Sequence, residues 1–146
     1  MATVRDILTR KGPTVWTIHP EATVLDAAML MNQHKVGSLV VLGDSQRIVG
    51  MFTERDVLVR VVAAQRDPAA TRVAEVMTEE VACCLPETSI EEARGAMKNR
   101  RVRHLPVVDN DNRLLGMISI GDLNAFEAVA QEQTIHLLHE YLYGRA

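Results

Sequence analysis

Apolar positions recur along this chain in two rhythms, and the pair of rhythms occurs twice. After Thr23, the apolar residues Val24, Ala27, Ala28 and Met31 fall at helical spacing. After Ser89, Ile90, Ala93, Ala96 and Met97 do the same. Each helical segment gives way to a short apolar run, GSLVVL or RHLPVVD, that reads as a strand. The turn-forming GDSQ and NDN follow, and the chain returns as RIVGMF and RLLGMI, so each copy predicts a β-hairpin. A second helix is expected to open at Thr53 and at Ser119, and VACCL reads as the first strand of the second copy. Each unit is thus strand, helix, strand, strand, helix. Each leaves a sheet face and two helices that its sibling can cover.

The two copies are one sequence written twice. Pro20 set against Pro86 aligns thirty-eight positions without a gap, as far as Val57 against Leu123, and eleven of them are identical. Upstream, VRDIL resembles VAEVM at an offset of sixty-nine rather than sixty-six, so the first copy carries three extra residues, most simply in RKGPT. The seam lies in AQRDPAATR. The expected units are 1–68 for the first repeat, 69–128 for the second and 129–146 for a C-terminal helical extension.

A fold repeat explains the apolar positions but not the polar ones. GMFTERD, Gly50 to Asp56, returns as GMISIGD, Gly116 to Asp122. A Thr or Ser three residues before an acid at a helix start approximates a capping box, which is one full explanation of Thr53/Asp56 and Ser119/Asp122. A helix start beside a glycine is also a place for an anion, and a carboxylate one turn in can accept both hydroxyls of a vicinal diol. Glu54-Arg55 becomes Ile120-Gly121 between the copies, while the glycine, the hydroxyl and the acid persist.

Charge and composition narrow the function classes. The 146 residues carry a net charge of −3 and are 47% hydrophobic, so no global basic field recommends nucleic acid or an anionic membrane. No apolar run reaches the roughly 18 residues of a membrane span, and MATVRDILTRKG lacks the apolar core of a signal peptide, so a cytoplasmic protein is expected. Cys83 and Cys84 are adjacent and unsuited to bridging each other; they are expected to be small hydrophobes, one facing inward and one outward. His136 and His139 find no third metal ligand nearby. Ile135, Leu138 and Leu142, with Tyr141 beside them, form a stripe on the terminal segment that a second copy of the chain could cover.

The doubled Gly-apolar-x-Thr/Ser-x-x-Asp motif, together with RVRHLPVVD, resembles a tandem pair of cystathionine-β-synthase (CBS) domains, from VRDIL to about Phe126. The resemblance implies an α/β fold of the α+β kind, two β-α-β-β-α repeats about a pseudo-twofold axis, with adenosine ligands in two clefts between them. It implies one cleft in which Thr53 and Asp56 meet Val102, Arg103, His104 and the VACC strand. The other would join Ser119 and Asp122 to Val36, Gly37, Ser38 and KGPTVW. Met51 and Met117 fall where the family places an apolar residue beside the base. Arg103 and His104 would reach phosphates, whereas Arg101 reads as a helix-end cation. Trp16 either stacks on a base, with Lys11 or Gly12 closing over the nucleotide, or is a core residue or plug that keeps the cleft empty.

The residues offer no nucleophile elbow, phosphate loop or Cys/His couple. The expected function is non-enzymatic: a sensor that binds an adenine nucleotide and acts in trans on an unknown partner. AMP or NAD is favoured over ADP, ATP and S-adenosylmethionine. The alternatives are a nucleotide-independent scaffold and, behind it, a nucleotide-hydrolysing enzyme; nucleic-acid binding through KNRRVRH runs against the acidic total charge. The family commonly pairs such modules, so a homodimer is expected.

Overall fold

Helix caps set where the elements begin. In the computed structural model, which describes the backbone of residues 1–143 and the side chains of residues 1–132 and Ile135, α1 (Val4–Lys11) follows Thr3. α2 (Val24–His34) follows Thr23 and α5 (Ile90–Arg100) follows Ser89. In the last two, the cap hydroxyl accepts the N–H of Asp26 or Glu92 at 3.0 Å, and that acid's carboxylate accepts the N–H of the cap. Both helices stop on a left-handed residue at the same place in the repeat, Lys35 (φ 54°) and Arg101 (φ 55°).

β1 (Thr17–Ile18), β2 (Ser38–Leu42) and β3 (Ile48–Thr53) form one sheet, with β1 parallel and β3 antiparallel to β2. β4 (His104–Val108) and β5 (Leu114–Ser119) repeat the hairpin in the same register, Ser38 opposite Thr53 and His104 opposite Ser119. The strand expected at VACCL is reduced to one bridge, Cys84 against Val107. The cause is Pro106. Its counterpart Val40 donates its N–H to Trp16 O at 3.1 Å, and proline has no N–H to give, so the second ladder loses that rung. The cysteines do not split into inside and outside as expected: Cys84 is buried in the second repeat's own core, and half-buried Cys83 packs into the layer between the repeats. Burial pushes both thiols up, Cys84 to about 12, aided by Cys83, so neither is a ready thiolate.

Strand alternation sorts the apolar side chains into three clusters. Leu39, Val41 and Phe52 face α2, whereas Leu105, Val107 and Ile118 face α5. Between the sheets lie Val40, Ile48, Met51, Val108 and Met117. The chain closes the outer clusters by exchange. α4 (Val73–Val76), from the start of the second copy, buries Val73 and Val76 in the first repeat's core. α1 buries Val4 and Ile7 in the second's. Backbone bonds fix both placements: the N–H groups of Val4 and Arg5 donate to Thr88 O and Pro86 O at 2.8 and 2.9 Å. Those of Val73 and Ala74 donate to Ala22 O and Pro20 O at 2.8 and 2.9 Å. Helix-start donors that have no intrahelical partner are thus satisfied by the other repeat.

The remaining helices follow the motif. α3 (Glu54–Asp56) opens at Thr53 and runs into a π-helical stretch, Val57–Val62. α6 (Ile120–Tyr143) opens at Ser119. Among the described residues no helix is long and apolar enough to cross a membrane. Ile135 is exposed; the other members of the expected terminal stripe, Leu138, Tyr141 and Leu142, and also His136 and His139, lie outside the described side chains.

The repeated glycines serve the exchange. A Cβ on Gly50 would stand 2.7 Å from Met77 Sδ and 2.9 Å from Thr78 O, and one on Gly116 would stand 2.9 Å from Leu8 Cδ2. Gly50 admits the segment leaving α4, and Gly116 admits a side chain of α1 itself. Gly50→Ala should therefore cost about 1–3 kcal/mol, because backbone must shift. Gly95→Ala, inside α5 with nothing within 4 Å of its Cβ, should gain about 0.5–1 kcal/mol. Urea denaturation of the two variants beside wild type checks both signs.

Candidate functional site

The two motifs share a cap and differ in what sits on the carboxylate. At the first, Thr53 N–H and hydroxyl donate to Asp56 Oδ2 at 3.0 and 3.2 Å, and Asp56 N–H returns a bond to the Thr53 hydroxyl at 3.2 Å. At the second, Ser119 N–H donates to Asp122 Oδ2 at 2.8 Å and Asp122 N–H to the Ser119 hydroxyl at 3.1 Å. Both acids therefore do the capping work that spacing alone allowed.

The further partners come from the exchanged segments. Thr78, just past the end of α4, brings its hydroxyl to 3.1 Å from Asp56 Oδ1, with the Arg60 guanidinium at 3.8 Å. Thr78 is held by paired backbone bonds with Met51, at 2.9 and 2.8 Å, and the Asp56 side chain is 8% exposed. At the other motif, Lys11 Nζ donates to Asp122 Oδ2 at 2.7 Å and to Met117 O at 2.8 Å. Asp122 keeps 25% of its side chain exposed and lines a cavity of about 250 Å³ with Ile7, Arg10, Lys11 and Phe126. Arg10 lies over the Phe126 ring, 5.1 Å from its centroid.

The three extra residues of the first copy account for that lysine. Leu8 is the counterpart of Met77, which already lies past the end of α4, whereas α1 continues through Thr9 and Arg10 to Lys11. Gly12 then stops the helix with φ 90°, its N–H on Leu8 O at 2.7 Å.

Direct contacts gather the candidate residues by hairpin, within one repeat, and not in the crossed sets expected from the resemblance. The cause is that the residue before each middle strand bonds the helix start that follows its own hairpin. His104 stands opposite Ser119, and Arg103 O accepts the N–H of Ile120 at 2.9 Å, so Arg103 and His104 sit beside the Asp122 motif, with exposed Val102 just before them. Ser38 stands opposite Thr53, and Gly37 O accepts the Glu54 N–H at 3.0 Å. Val36 and Gly37 line an open groove of about 530 Å³ with Met31, Asn32, Lys35 and Glu54. Met51 and Met117 are buried together between the sheets. Trp16 is 38% exposed and stacks on His34, ring centroids 3.5 Å apart and planes 10° from parallel, so it is not a core residue. Two residues with a part here escaped the sequence reading. Thr78 carried a signal, since it matches Thr9 at the offset of sixty-nine, and Arg60 had another in its i+4 spacing from Asp56.

Known proteins share this fold. The CBS domain family profile matches residues 4–63 and again 73–127. A CBS domain-containing protein of Bacillus subtilis, YhcV, is 39% identical over 123 residues, covering 84% of either chain. The mitochondrial CBS domain-containing protein CBSX3 of Arabidopsis thaliana is 34% identical over 97% of this chain and 72% of its own. Among solved structures, a protein with CBS domains from Burkholderia ambifaria superposes with a TM-score of 0.79 at 40% identity, over 90% of this chain and 96% of that one. The fold is also that of a CBS domain pair solved with 5′-methylthioadenosine and S-adenosyl-L-methionine, at a TM-score of 0.78 and 21% identity, over 89% and 98% of the two chains.

The Asp122 motif has a pH signature. Burial, then the Lys11 ammonium, hold the His104 imidazole below its ordinary 6.5, with Asp122 pulling the other way and Arg103 adding a little. Burial raises Asp122, but the Lys11 and Ser119 hydrogen bonds outweigh it and leave the carboxyl below its usual 3.8. A depressed histidine makes the unfolded chain the better proton acceptor, so its effect is nil above the unfolded value and stability falls as pH drops through about 6.5. The Asp122 contribution is present above the carboxylate range and is lost as pH falls through its lowered value. Melting temperatures followed downward from about pH 7 should decline first in a step that His104→Gln flattens. The later acid step should persist in that variant.

Proposed function

The chain belongs to the CBS domain family, and we propose that it is a regulatory module that binds an adenine nucleotide, AMP or NAD foremost, between its two repeats and acts in trans on a partner protein. The observation that carries this reading is the doubled pairing of a helix-start hydroxyl with an acid one turn in, which at Asp122 leaves a carboxylate partly open beside a cavity. A diol would bond the Asp122 carboxylate, and Ser119 at the head of α6 would face the phosphate, where the helix dipole favours an anion. Arg103 and His104, next to that motif, add cationic and hydrogen-bonding groups. An adenosine ligand is supported further by the pair solved with two such compounds.

No catalysis is needed for this role, since a ligand shifts the state it prefers without being changed. Exposed Leu58, Val59 and Val62 on the π-helical stretch give a second copy an apolar face to cover, and CBS-containing relatives from cyanobacteria are hexameric. Two unbridged cysteines and a mildly acidic charge suit the cytoplasm.

Thermal unfolding with AMP, ADP, ATP, NAD and S-adenosylmethionine tests the nucleotide. A ligand present at a hundred times its Kd should add about 2.7 kcal/mol to folded-state stability, and the shift should vanish in Asp122→Asn. Recovery of the nucleotide unchanged supports a sensor, whereas turnover establishes the enzyme reading. No shift with any of the five compounds, after refolding to strip carried-over nucleotide, leaves both acids as caps and the chain as a scaffold. Separately, Val62→Asp should lower the sedimentation mass from dimer to monomer while leaving the melting curve two-state.

A further inference from the structure

The two motif carboxylates differ in how firmly they are held. Asp56 is covered from a fixed backbone: Thr78 reaches it from a segment bonded both ways to Met51, on a short β-branched side chain that is stiff at χ1, and the Asp56 side chain is only 8% exposed. Beyond its cap bond from the Ser119 N–H, Asp122 is held only by the end of one flexible side chain among the described residues. Lys11 Nζ can leave it by rotation about the methylene stem, with both partners part-exposed, 34% for Lys11 and 25% for Asp122. A Cβ on the adjoining Gly12 would meet nothing within 4 Å, so the turn beyond the lysine is unobstructed.

We propose that Lys11 is both gate and anion anchor of the Asp122 cleft: its ammonium rests on the carboxylate that a ribose diol needs and moves to the phosphate of the incoming nucleotide, while the Asp56 cleft stays shut, so that each chain takes one nucleotide. This rests on the nucleotide-binding reading and adds to it a stoichiometry, a site and a ligand charge. The chemistry follows from charge balance. When two hydroxyls replace the ammonium on Asp122, the lysine loses its counter-ion in a half-buried place that already holds Arg10 over Phe126 and Arg103 at the foot of β4. A phosphate restores that balance. A neutral nucleoside leaves the cation unpaired, and a sulfonium such as S-adenosylmethionine adds to the excess. The ligand class is therefore a 5′-phosphorylated adenosine. The device belongs to this chain's longer first copy, since the lysine stands on the helical turn that α4 lacks.

Calorimetric titration of the full chain with AMP and with adenosine, in wild type, Lys11→Met and Asp122→Asn, tests it. Wild type should bind one AMP per chain and bind adenosine much more weakly. Lys11→Met should bind adenosine more tightly, since the competitor is gone, and AMP less tightly, since the anchor is gone. The preference for AMP over adenosine should fall by about tenfold or more. Asp122→Asn should lose AMP binding. If Lys11→Met misfolds, Lys11→Gln keeps much of the stem and a donor without the charge and should shift the preference in the same direction. Two AMP per chain, AMP binding that survives in Asp122→Asn, or an AMP-to-adenosine preference in the Lys11 variants within about twofold of wild type overturns the Lys11 proposal while leaving nucleotide binding intact. Absence of heat with both compounds in every variant overturns both.

Discussion

Each half of this molecule is closed by a helix that the other half's sequence supplies. The first two N–H groups of α1 have no acceptor in their own helix and find Thr88 and Pro86, and those of α4 find Ala22 and Pro20. The apolar faces go with them: Val4 and Ile7 into one core, Val73 and Val76 into the other. Everything else is arranged around these crossings. Gly50 and Gly116 are bare where the crossing segments pass, and Met51 and Met117 are pressed into the layer between the sheets. The two residues that reach the motif acids are carried by the crossings as well, Thr78 just beyond α4 and Lys11 on the last turn of α1.

The motif Gly-apolar-x-Thr/Ser-x-x-Asp is therefore fully employed in holding the fold. Its glycine admits a neighbour, its hydroxyl caps a helix, and its acid closes the cap. A role in binding is added on top, at the carboxylate oxygens that the cap leaves available. That addition is uneven, because Asp56 is spent on Thr78 and a nearby guanidinium whereas Asp122 is shared with a lysine at the edge of a cavity.

Local chemistry was legible in the sequence wherever it was decided within a few residues. The helix starts at Thr23, Thr53, Ser89 and Ser119 and the two hairpins lie where spacing and turn residues put them. Features that depended on distant partners were not. The change of offset from sixty-six to sixty-nine marked an insertion, yet nothing in it says that the helices beside it change sides. A strand was expected at VACCL because apolar content suggested one, and the missing N–H of Pro106, far along the chain, cut its pairing to a single bridge. Trp16 finds His34 through the fold, not through any pattern near it. The π-helical turn after Asp56 has no signal that separates VLVRVV from an ordinary helix.

The longer α1 has a consequence for symmetry. Two identical chains meeting about a twofold axis must present the same residue at both equivalent places. Arg47 bridging its own counterpart Arg113 follows the same geometry within one chain. Joining the halves in one chain makes their meeting intramolecular, at an effective concentration in the millimolar range or above, and so independent of how dilute the protein is. It also frees one half to change alone. A lysine on one acid and a threonine on the other is an arrangement closed to two identical chains about an exact twofold axis, and it makes the two copies of one motif chemically distinct.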